Sequence, residues 1–414
     1  MENLTIHPGR LEGQVRVSGA KNSALRLLAA SLLTEEKITL ENYPYSLLDA
    51  QLHTEMLENL GKSCLVEEES ETIHITQSKP PSSELLWSKR SIRNTLLILG
   101  ALTARTGKAS VPLPGGCKLG ERKYDIHVNV LESLGAKVWE KNGYLHARIT
   151  KGKSFKGSEI HLPLRSTGAT ENALLCSSLA KGKTTIWGPH IRPEIMDLIE
   201  LLRKMGVEIT VRGQESIIIE GQESLKGATH RIIPDNVEAL TWMIGAVITG
   251  GDIEIIDFPY EHLEVPLIHL RESGARFYRS EDRMIVRGGE CYPIDISTGP
   301  YPGINSDMQP LFAVYAACAK GKSKIIDLRF PGRYAYAEEL KRMGMDFTVK
   351  ENLLEITGPT YWQGSTVKAL DLRAGAALML AGLMGTKNTQ IENSWQISRG
   401  YHHLIIKLKF LTSK

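Results

Sequence analysis

The chain has 414 residues, 42% of them hydrophobic and 23% charged, which is the composition of a soluble globular protein with two or three domains. Its formal net charge of +3 is too small to indicate a nucleic-acid or anionic-membrane partner. The sequence has no apolar run long enough to span a bilayer, no signal-peptide core in its first ten residues, and no CxxC pair among its five cysteines. We therefore expect a cytoplasmic chain with reduced thiols and no zinc site.

In chain order, the sequence repeats two elements, and the first is an amphipathic helix that ends at a glycine and precedes two alternating strands. Its copies occupy residues 56–75, 130–149, 201–221, 269–288 and 340–358. The terminal glycines recur about every 70 residues, and each is predicted to end its helix in the left-handed conformation. These glycines are Gly61, Gly135, Gly206, Gly274 and Gly344.

The second repeated element is a helix of small residues, followed by a polar turn and a strand. Its six copies occupy residues 23–42, 95–114, 172–189, 238–259, 311–328 and 376–393. Helices this rich in alanine and glycine are predicted to be buried, because small side chains allow close packing. The two elements together predict an α/β fold of six βαβαββ-like units, three in each of two similar halves.

The last repeat is incomplete, because its long helix near residues 403–414 reaches the end of the sequence before a hairpin follows. Residues 1–19 are predicted to supply that hairpin. The chain then crosses between its halves near Ala20 and Ile233. We expect one domain at 21–233, a second at 1–20 plus 234–414, and an active site in a cleft between them.

A glycine-rich loop at residues 114–122, with the sequence PGGCKLGER, carries one thiol at Cys117. Three glycines within six residues allow a sharp bend. Lys118 and Arg122 favour the thiolate over the thiol, which makes Cys117 a candidate reactive group. Taken alone, the same run also fits a small apolar residue in a glycine turn.

Polar residues cluster where the small-residue helices begin, or in loops after strands. These residues are Lys21, Asn22, Arg93, Ser166, Thr167, Gly168, Asp307, Arg333, Asp371, Arg373 and Arg399. Each one alone is explained by helix capping or by a surface ion pair. Helix N-termini and cations at matching places in the repeats together predict a site for a phosphorylated, carboxylated substrate.

These motifs resemble the enolpyruvyl transferases over essentially the whole chain. The resemblance is carried by Lys21-Asn22, the Pro-Gly-Gly-Cys loop, Asp307-Met-Gln, Asp371-Leu-Arg and Arg399-Gly-Tyr. The cysteine loop is typical of the carboxyvinyltransferase branch that acts on UDP-N-acetylglucosamine, and the shikimate branch shares the fold without that loop. The resemblance implies a two-domain inside-out α/β barrel that closes on its substrates by induced fit.

The implied reaction transfers the enolpyruvyl group of phosphoenolpyruvate to a sugar hydroxyl and releases phosphate, the first committed step of peptidoglycan synthesis. The implied partners are these small molecules, with no nucleic acid, membrane, cofactor or metal, and the oligomeric state is left open. The resemblance makes Cys117 the general acid, with a possible covalent adduct, and Asp307 the base. The full implied catalytic set is Cys117, Asp307, Asp371, Lys21 and Arg399.

The resemblance also implies two binding sets. The residues implied to bind phosphoenolpyruvate are Lys21, Asn22, Arg122, Arg333, Arg373 and Arg399. The residues implied to line the UDP-sugar site are Asn22, Arg93, Arg122, Lys123, Tyr124, Asp125, Ile126, Ser166, Thr167, Gly168, Asp307 and Arg329.

Several positions on the acceptor side depart from the family pattern. They are Lys123, Tyr124, Leu164, Asn236, Arg329, Pro331, Gly332, Gln396, Ser398 and His402. A bulky Tyr124 and an added Arg329 would change how a nucleotide stacks and where its phosphates rest. Three hypotheses stay open: the ordinary enzyme with neutral changes, a paralogue that uses another nucleotide such as UMP in nucleoside natural-product synthesis, and a non-catalytic nucleotide-sugar-binding regulator.

Overall fold

The structure, a computed structural model, describes residues 3–115 and 124–412. Three short 3-10 segments lie at Ser31–Leu33, Tyr260–His262 and Ser394–Arg399. The α-helices of the described part are α1 (Lys21–Ala30), α2 (Leu48–Asn59), α3 (Thr95–Thr106), α4 (Asp125–Ser133), α5 (Thr167–Ser177), α6 (Pro193–Lys204), α7 (Asn236–Ile248), α8 (Glu264–Glu272), α9 (Gln309–Cys318), α10 (Ala335–Lys341), α11 (Leu372–Leu383) and α12 (Leu404–Thr412). Among these described helices, none is both long and apolar enough to cross a membrane.

The strands are mostly short, three to six residues each. They are β1 (Leu4–Ile6), β2 (Glu12–Arg16), β3 (Ile38–Glu41), β4 (Lys62–Glu67), β5 (Thr72–Gln77), β6 (Lys108–Pro112), β7 (Ala136–Lys141), β8 (Tyr144–Ile149), β9 (Glu159–His161), β10 (Lys183–Trp187), β11 (Glu208–Arg212), β12 (Ser216–Glu220), β13 (Ala228–Arg231), β14 (Asp252–Ile256), β15 (Arg276–Ser280), β16 (Arg283–Arg287), β17 (Asp295–Ser297), β18 (Gly321–Ile326), β19 (Asp346–Lys350), β20 (Leu353–Gly358), β21 (Thr366–Lys368) and β22 (Thr389–Glu392).

Each small-residue helix leads into a strand that has pairing partners on both sides, and this strand is called central. The six sheets have the strand orders β13-β3-β5-β4, β6-β8-β7, β9-β10-β12-β11, β2-β14-β16-β15, β17-β18-β20-β19 and β21-β22-β1. In five of them a hairpin pairs antiparallel on one side of the central strand. A parallel strand lies on the other side, reduced in the β6 sheet to the bridge between Glu84 and Ser110. The six-repeat α/β architecture predicted from the sequence is therefore confirmed.

The N-terminal strands correct one prediction about the last repeat. They form no hairpin with each other: β1 pairs antiparallel with β22, whereas β2 pairs parallel with β14. The prediction of a shared hairpin from residues 1–19 was wrong, because these two strands complete two different sheets. The sixth sheet consequently has one antiparallel strand where the other five have two.

The hairpin glycines adopt the predicted conformation. Gly61, Gly135, Gly206, Gly274 and Gly344 have φ angles of 99°, 101°, 101°, 94° and 112°. A residue with a Cβ is strained in this region, so glycine ends each helix and allows the chain to turn into the hairpin.

The described residues fall into two compact units, each with its own hydrophobic core. The N-terminal unit contains 19–115 and 124–233, and the C-terminal unit contains 3–18 and 234–412. Helices α1, α3 and α5 are largely buried in the first, and α7, α9 and α11 in the second. Gly100 shows why these helices are built from small residues, since a Cβ there would overlap the Asn172 side chain of α5. The domain boundaries at residues 20 and 233 stay a prediction.

Candidate active site

The start of α11 in the C-terminal unit places Asp371 as its N-cap. One carboxylate oxygen, Oδ1, accepts hydrogen bonds from the backbone N–H groups of Arg373 and Ala374 at 2.7 and 2.9 Å. The other oxygen, Oδ2, lies 3.5 Å from Nη2 of Arg333. An aspartate satisfies the exposed N–H groups of a helix start, so this capping fixes the orientation of the carboxylate toward Arg333.

Asp307 lies between two guanidinium groups. Its Oδ1 is 3.3 Å from Nη1 of Arg333, and its Oδ2 is 3.5 Å from Nε of Arg373. The two arginine side chains are only 6% and 1% exposed, against 27% for Asp307. The structure therefore assembles Asp307, Arg333, Asp371 and Arg373 into one cluster of alternating charge, with Asp307 as its more accessible member.

The charges in this cluster hold both arginines protonated. Burial opposes the charged form of Arg333, but Asp307 and Asp371 outweigh it and raise the pKa of that guanidinium above its ordinary value. Burial likewise opposes the charge on Arg373, whereas Tyr401 and Asp307 raise its pKa. Nη2 of Arg333 and Nε of Arg373 each lie 3.5 Å from a carboxylate oxygen, and among the described atoms Nε of Arg333 and Nη1 of Arg373 have no hydrogen-bond acceptor. Buried donors of this kind fit an anionic ligand such as a carboxylate or a phosphate.

Arg399 and Tyr401 lie at the end of the segment that follows β22. The sequence predicted Arg399 in a loop, and it is the last residue of a 3-10 segment, where its Nη1 donates to Oε1 of Gln396 at 3.0 Å. The Tyr401 ring lies 5.1 Å from the guanidinium carbon of Arg373, and its hydroxyl is 3.0 Å from that of Thr241. Tyr401 therefore supports Arg373 from the ring face.

Lys21 opens α1 in the N-terminal unit and is buried in an ion pair. Its Nζ lies 2.9 Å from Oδ2 of Asp49, and Nη2 of Arg90 lies 3.6 Å from the other oxygen of the same carboxylate. Asn22 is the next residue of the helix and is half-buried, and Arg93 is half-buried just before α3. Two cations thus share the Asp49 carboxylate at the start of α1.

The start of α5 brings together the predicted Ser166, Thr167 and Gly168 with two buried histidines. Ser166 is the N-cap, and the Thr167 hydroxyl is 2.8 Å from Nδ1 of His190. Gly168 packs against the His127 ring, since a Cβ there would lie 2.9 Å from both Cε1 and Nε2. Burial, and secondarily Arg93, lowers the pKa of His127 from 6.5 to about 3. His127 is therefore neutral at physiological pH and offers an uncharged hydrogen-bonding group at the start of α5.

The remaining predicted residues that the structure describes are half-buried or exposed to solvent. Tyr124 precedes α4, and its hydroxyl donates to Oε2 of Glu140 at 2.7 Å. Asp125 is exposed and Ile126 is half-buried. Arg329 is exposed, with its guanidinium carbon 5.6 Å from the Phe330 ring centre. Cys117, Arg122 and Lys123 lie outside the described residues.

Sequence reasoning missed four partners of the predicted residues. Asp49 and Arg90 lie near Lys21, and His127 and His190 lie against the start of α5. None of them belongs to a recognisable motif. The available signal was weak: His127 directly follows Ile126, the last residue of the run 122–126 that the resemblance places in the acceptor site. Within the described residues, no group of His, Cys, Asp or Glu is arranged to hold a metal ion.

Comparison with known proteins gives matches along the whole chain. The sequence model of the family EPSP synthase (3-phosphoshikimate 1-carboxyvinyltransferase) matches residues 6–408. UDP-N-acetylglucosamine 1-carboxyvinyltransferase 1 of Carboxydothermus hydrogenoformans is 41% identical, over 97% of this chain and 94% of that protein. The protein of the same name from Caldanaerobacter subterraneus is 38% identical, over 98% of this chain and 96% of its own length.

A solved structure also matches the chain closely. The enolpyruvyl transferase NikO from Streptomyces tendae superposes with a TM-score of 0.89 at 26% identity, covering 99% of this chain and 97% of that one. This agreement confirms the predicted two-domain α/β fold. With a family match over 6–408 and relatives that are 38–41% identical over nearly its full length, the chain belongs to the EPSP synthase family of enolpyruvyl transferases.

Proposed function

We propose that this chain transfers the enolpyruvyl group of phosphoenolpyruvate to the 3-hydroxyl of UDP-N-acetylglucosamine and releases phosphate. The observation that carries the proposal is the similarity, at 38–41% identity over nearly the full length, to proteins named UDP-N-acetylglucosamine 1-carboxyvinyltransferase. The reaction would be the first committed step of peptidoglycan synthesis and would take place in the cytoplasm.

In the proposed reaction, addition is followed by elimination. The sugar hydroxyl attacks C2 of phosphoenolpyruvate and gives its proton to Asp307, while the C3 methylene takes a proton from the Cys117 thiol. The resulting tetrahedral ketal then loses a proton from C3 and expels phosphate, which restores the double bond as an enol ether. Asp371 would support the proton transfers beside Arg333.

The cations in the proposed site neutralise the two anionic groups of phosphoenolpyruvate. Arg333 and Arg373 present buried guanidinium donors, which support this role because such donors are strongest where water is excluded. Lys21, Arg122 and Arg399 would complete the set. The neutral His127 and the hydroxyl of Thr167 would serve the UDP-sugar, whose sugar and base offer uncharged hydrogen-bonding groups.

The test is phosphate release from phosphoenolpyruvate, with product mass, against UDP-N-acetylglucosamine and against UMP. Turnover with the nucleotide sugar and a product heavier by one enolpyruvyl group would support the proposal. Turnover with UMP alone would instead favour the paralogue that uses another nucleotide.

Substitution of Cys117 distinguishes the proposed enzyme from a non-catalytic protein that only binds a nucleotide sugar. Cys117→Ala should abolish most turnover, and a regulator that only binds would keep its ligand affinity. An active Cys117→Asp variant would mean that the thiol acts as a proton donor and that no covalent adduct is required. Failure of wild-type protein to release phosphate with any acceptor would contradict the proposed enzyme.

A further inference from the structure

The residue that follows the central strand differs between repeats of the same fold. After β3, β10, β14 and β22 this residue is Asn42, Gly188, Asp257 or Asn393, with φ angles of 54°, 67°, 58° and 55°. In these four repeats, a left-handed residue makes the turn. Asp327 occupies the same place after β18, but it does not adopt a positive φ. Its side chain shapes the turn instead.

The Asp327 carboxylate is fully buried and accepts four hydrogen bonds. Oδ1 accepts the backbone N–H groups of Arg329 and Phe330 at 2.9 and 2.8 Å, and the Thr298 hydroxyl at 2.8 Å. Oδ2 accepts the Ser306 hydroxyl at 2.5 Å. Asp327 therefore joins three segments: the end of β17, the residues just before α9, and the turn that leads to Arg333.

Ser306 connects Asp327 to the charged cluster, because its hydroxyl contacts both Asp327 and Arg333. Because its hydroxyl hydrogen is committed to Asp327, its oxygen accepts from Nη1 of Arg333 at 3.0 Å. The same Nη1 also contacts the Ser306 carbonyl oxygen at 3.1 Å and Asp307 Oδ1 at 3.3 Å. Arg333 is thus fixed at both ends, through its backbone by the capped turn and through its guanidinium by Ser306.

We propose that Asp327 is a positioning residue, which aligns Arg333 with Asp307 by capping the 329–330 turn and orienting the Ser306 hydroxyl. The role of this alignment in catalysis rests on the proposed function, in which Arg333 binds phosphoenolpyruvate and Asp307 faces the acceptor. A guanidinium that is held in one orientation binds an anion without losing rotamer freedom at that moment.

Two variants break the link at different points. Ser306→Ala removes the bridge to Arg333 and leaves the capped turn intact. In Asp327→Asn the amide oxygen can still cap the turn, but Nδ2 would donate to Ser306 and reverse the direction of that hydrogen bond. The matched control is Ser323→Ala, since Ser323 is equally buried in β18 and accepts from Ile294 N–H at 3.0 Å, away from Arg333.

We expect kcat/KM for phosphoenolpyruvate to fall about tenfold to a hundredfold in both variants, the effect of losing a hydrogen bond to a charged group. The KM for the acceptor should stay close to that of Ser323→Ala. Ser306→Ala also leaves Oδ2 of the buried Asp327 without the Ser306 donor, so a lower melting temperature is expected there and does not decide between the two roles. A merely structural role would change both KM values together, which would overturn the proposal.

A second readout does not depend on the reaction. Phenylglyoxal labelling of Arg333, followed by peptide mass spectrometry, should be slow in wild-type protein and faster in both variants, with exposed Arg329 as the internal reference. Unchanged labelling would overturn the positioning role even if the wild-type protein is active. If the wild-type protein shows no turnover but Arg333 still labels faster in both variants than in wild-type protein, the positioning role is supported while the proposed function fails.

Discussion

The predicted site residues of the two units differ in how they hold charge. In the C-terminal unit, half-buried Asp307 and the buried guanidinium of Arg333 belong to a cluster in which each charge faces an opposite one. At the start of α5 in the N-terminal unit, the polar groups are hydroxyls and the histidine His127, which burial keeps neutral. Under the proposed function, anion binding and proton transfer would belong to the first group, and recognition of uncharged groups to the second.

The largest effect is expected at Arg373. Arg373→Lys keeps one charge but loses the fork that reaches Asp307 and the stacking on Tyr401. We expect kcat/KM for phosphate release to fall by about a hundredfold or more, as for the loss of a transition-state donor. Arg342→Lys is the control, because Arg342 is 55% exposed and pairs with Glu339 on the surface. A fall in kcat/KM of less than about tenfold would mean that Arg373 does not contact the reacting atoms.

Lys21 does not follow this contrast, because it is a predicted site residue of the N-terminal unit that is buried and charged. Lys21→Met would leave the Asp49 carboxylate, which is 3% exposed, with Arg90 at 3.6 Å. We expect the free energy of unfolding to fall by about 3 kcal/mol, the lower end of the loss for a buried pair that loses one partner, because Arg90 still faces the carboxylate. Denaturant titration measures this change.

Lys89→Met is the matched control for that prediction. Its ammonium group also pairs with a carboxylate, that of Glu55 at 2.5 Å, but the two side chains are 61% and 42% exposed. A surface pair of this kind contributes less than about 1 kcal/mol. If both variants lost the same free energy of unfolding, the buried Lys21 pair would contribute no more than a surface pair. Lys21 would then no longer differ from the exposed ions of its unit.

The sequence predicted helices and strands better than it predicted which distant residues contact each other. Repeating glycines and small-residue helices identified the six units because each repeat has the same local pattern. The N-terminal strands were assigned wrongly since nothing local tells β1 to pair with β22 and β2 with β14. In the site, Asp371 was named from its place before a small-residue helix and from the resemblance carried by Asp371-Leu-Arg, both of which are local signals. Asp49 and Asp327 were not, because the side chains that contact them, such as Lys21 and Ser306, lie far away in sequence.

The neutrality of His127 can be tested by the dependence of stability on pH. Its folded pKa of about 3 lies below the ordinary 6.5, so the unfolded chain binds the proton first as the pH falls. Its contribution to stability is therefore complete above about pH 6.5 and is lost progressively toward about pH 3. His127→Asn should reduce the slope of unfolding free energy between pH 5 and 6.5 by at most about 1.4 kcal/mol per pH unit.

Asparagine suits this test because its side-chain oxygen can take the place of Nδ1, which lies 3.3 Å from Nδ2 of Asn172. His161→Asn is the control, since that side chain is 72% exposed. The control should keep the wild-type slope. The same slope in His127→Asn would mean that His127 binds its proton as readily in the folded chain as in the unfolded chain, and the contrast between the units would fail.

The smallest effect is expected at Tyr124, where the hydroxyl is already committed to Glu140 at 2.7 Å. That hydrogen bond, followed by burial, raises the pKa of Tyr124, so the phenol stays protonated at neutral pH. Tyr124→Phe removes only this partly exposed bond, and we expect the free energy of unfolding to change by less than about 0.5 kcal/mol. The KM for the nucleotide acceptor should also stay unchanged, because the ring face remains available for stacking.

The KM for the acceptor is measured by titrating the nucleotide against Tyr124→Phe and against the control Tyr361→Phe. Tyr361 is 74% exposed and lies outside the predicted site. A rise in acceptor KM confined to Tyr124→Phe would mean that the hydroxyl leaves Glu140 and contacts the nucleotide. Recognition in the N-terminal unit would then depend on a donated hydrogen bond that replaces an existing one. Because such an exchange gains little net free energy, it would limit how far Tyr124 itself can select the acceptor.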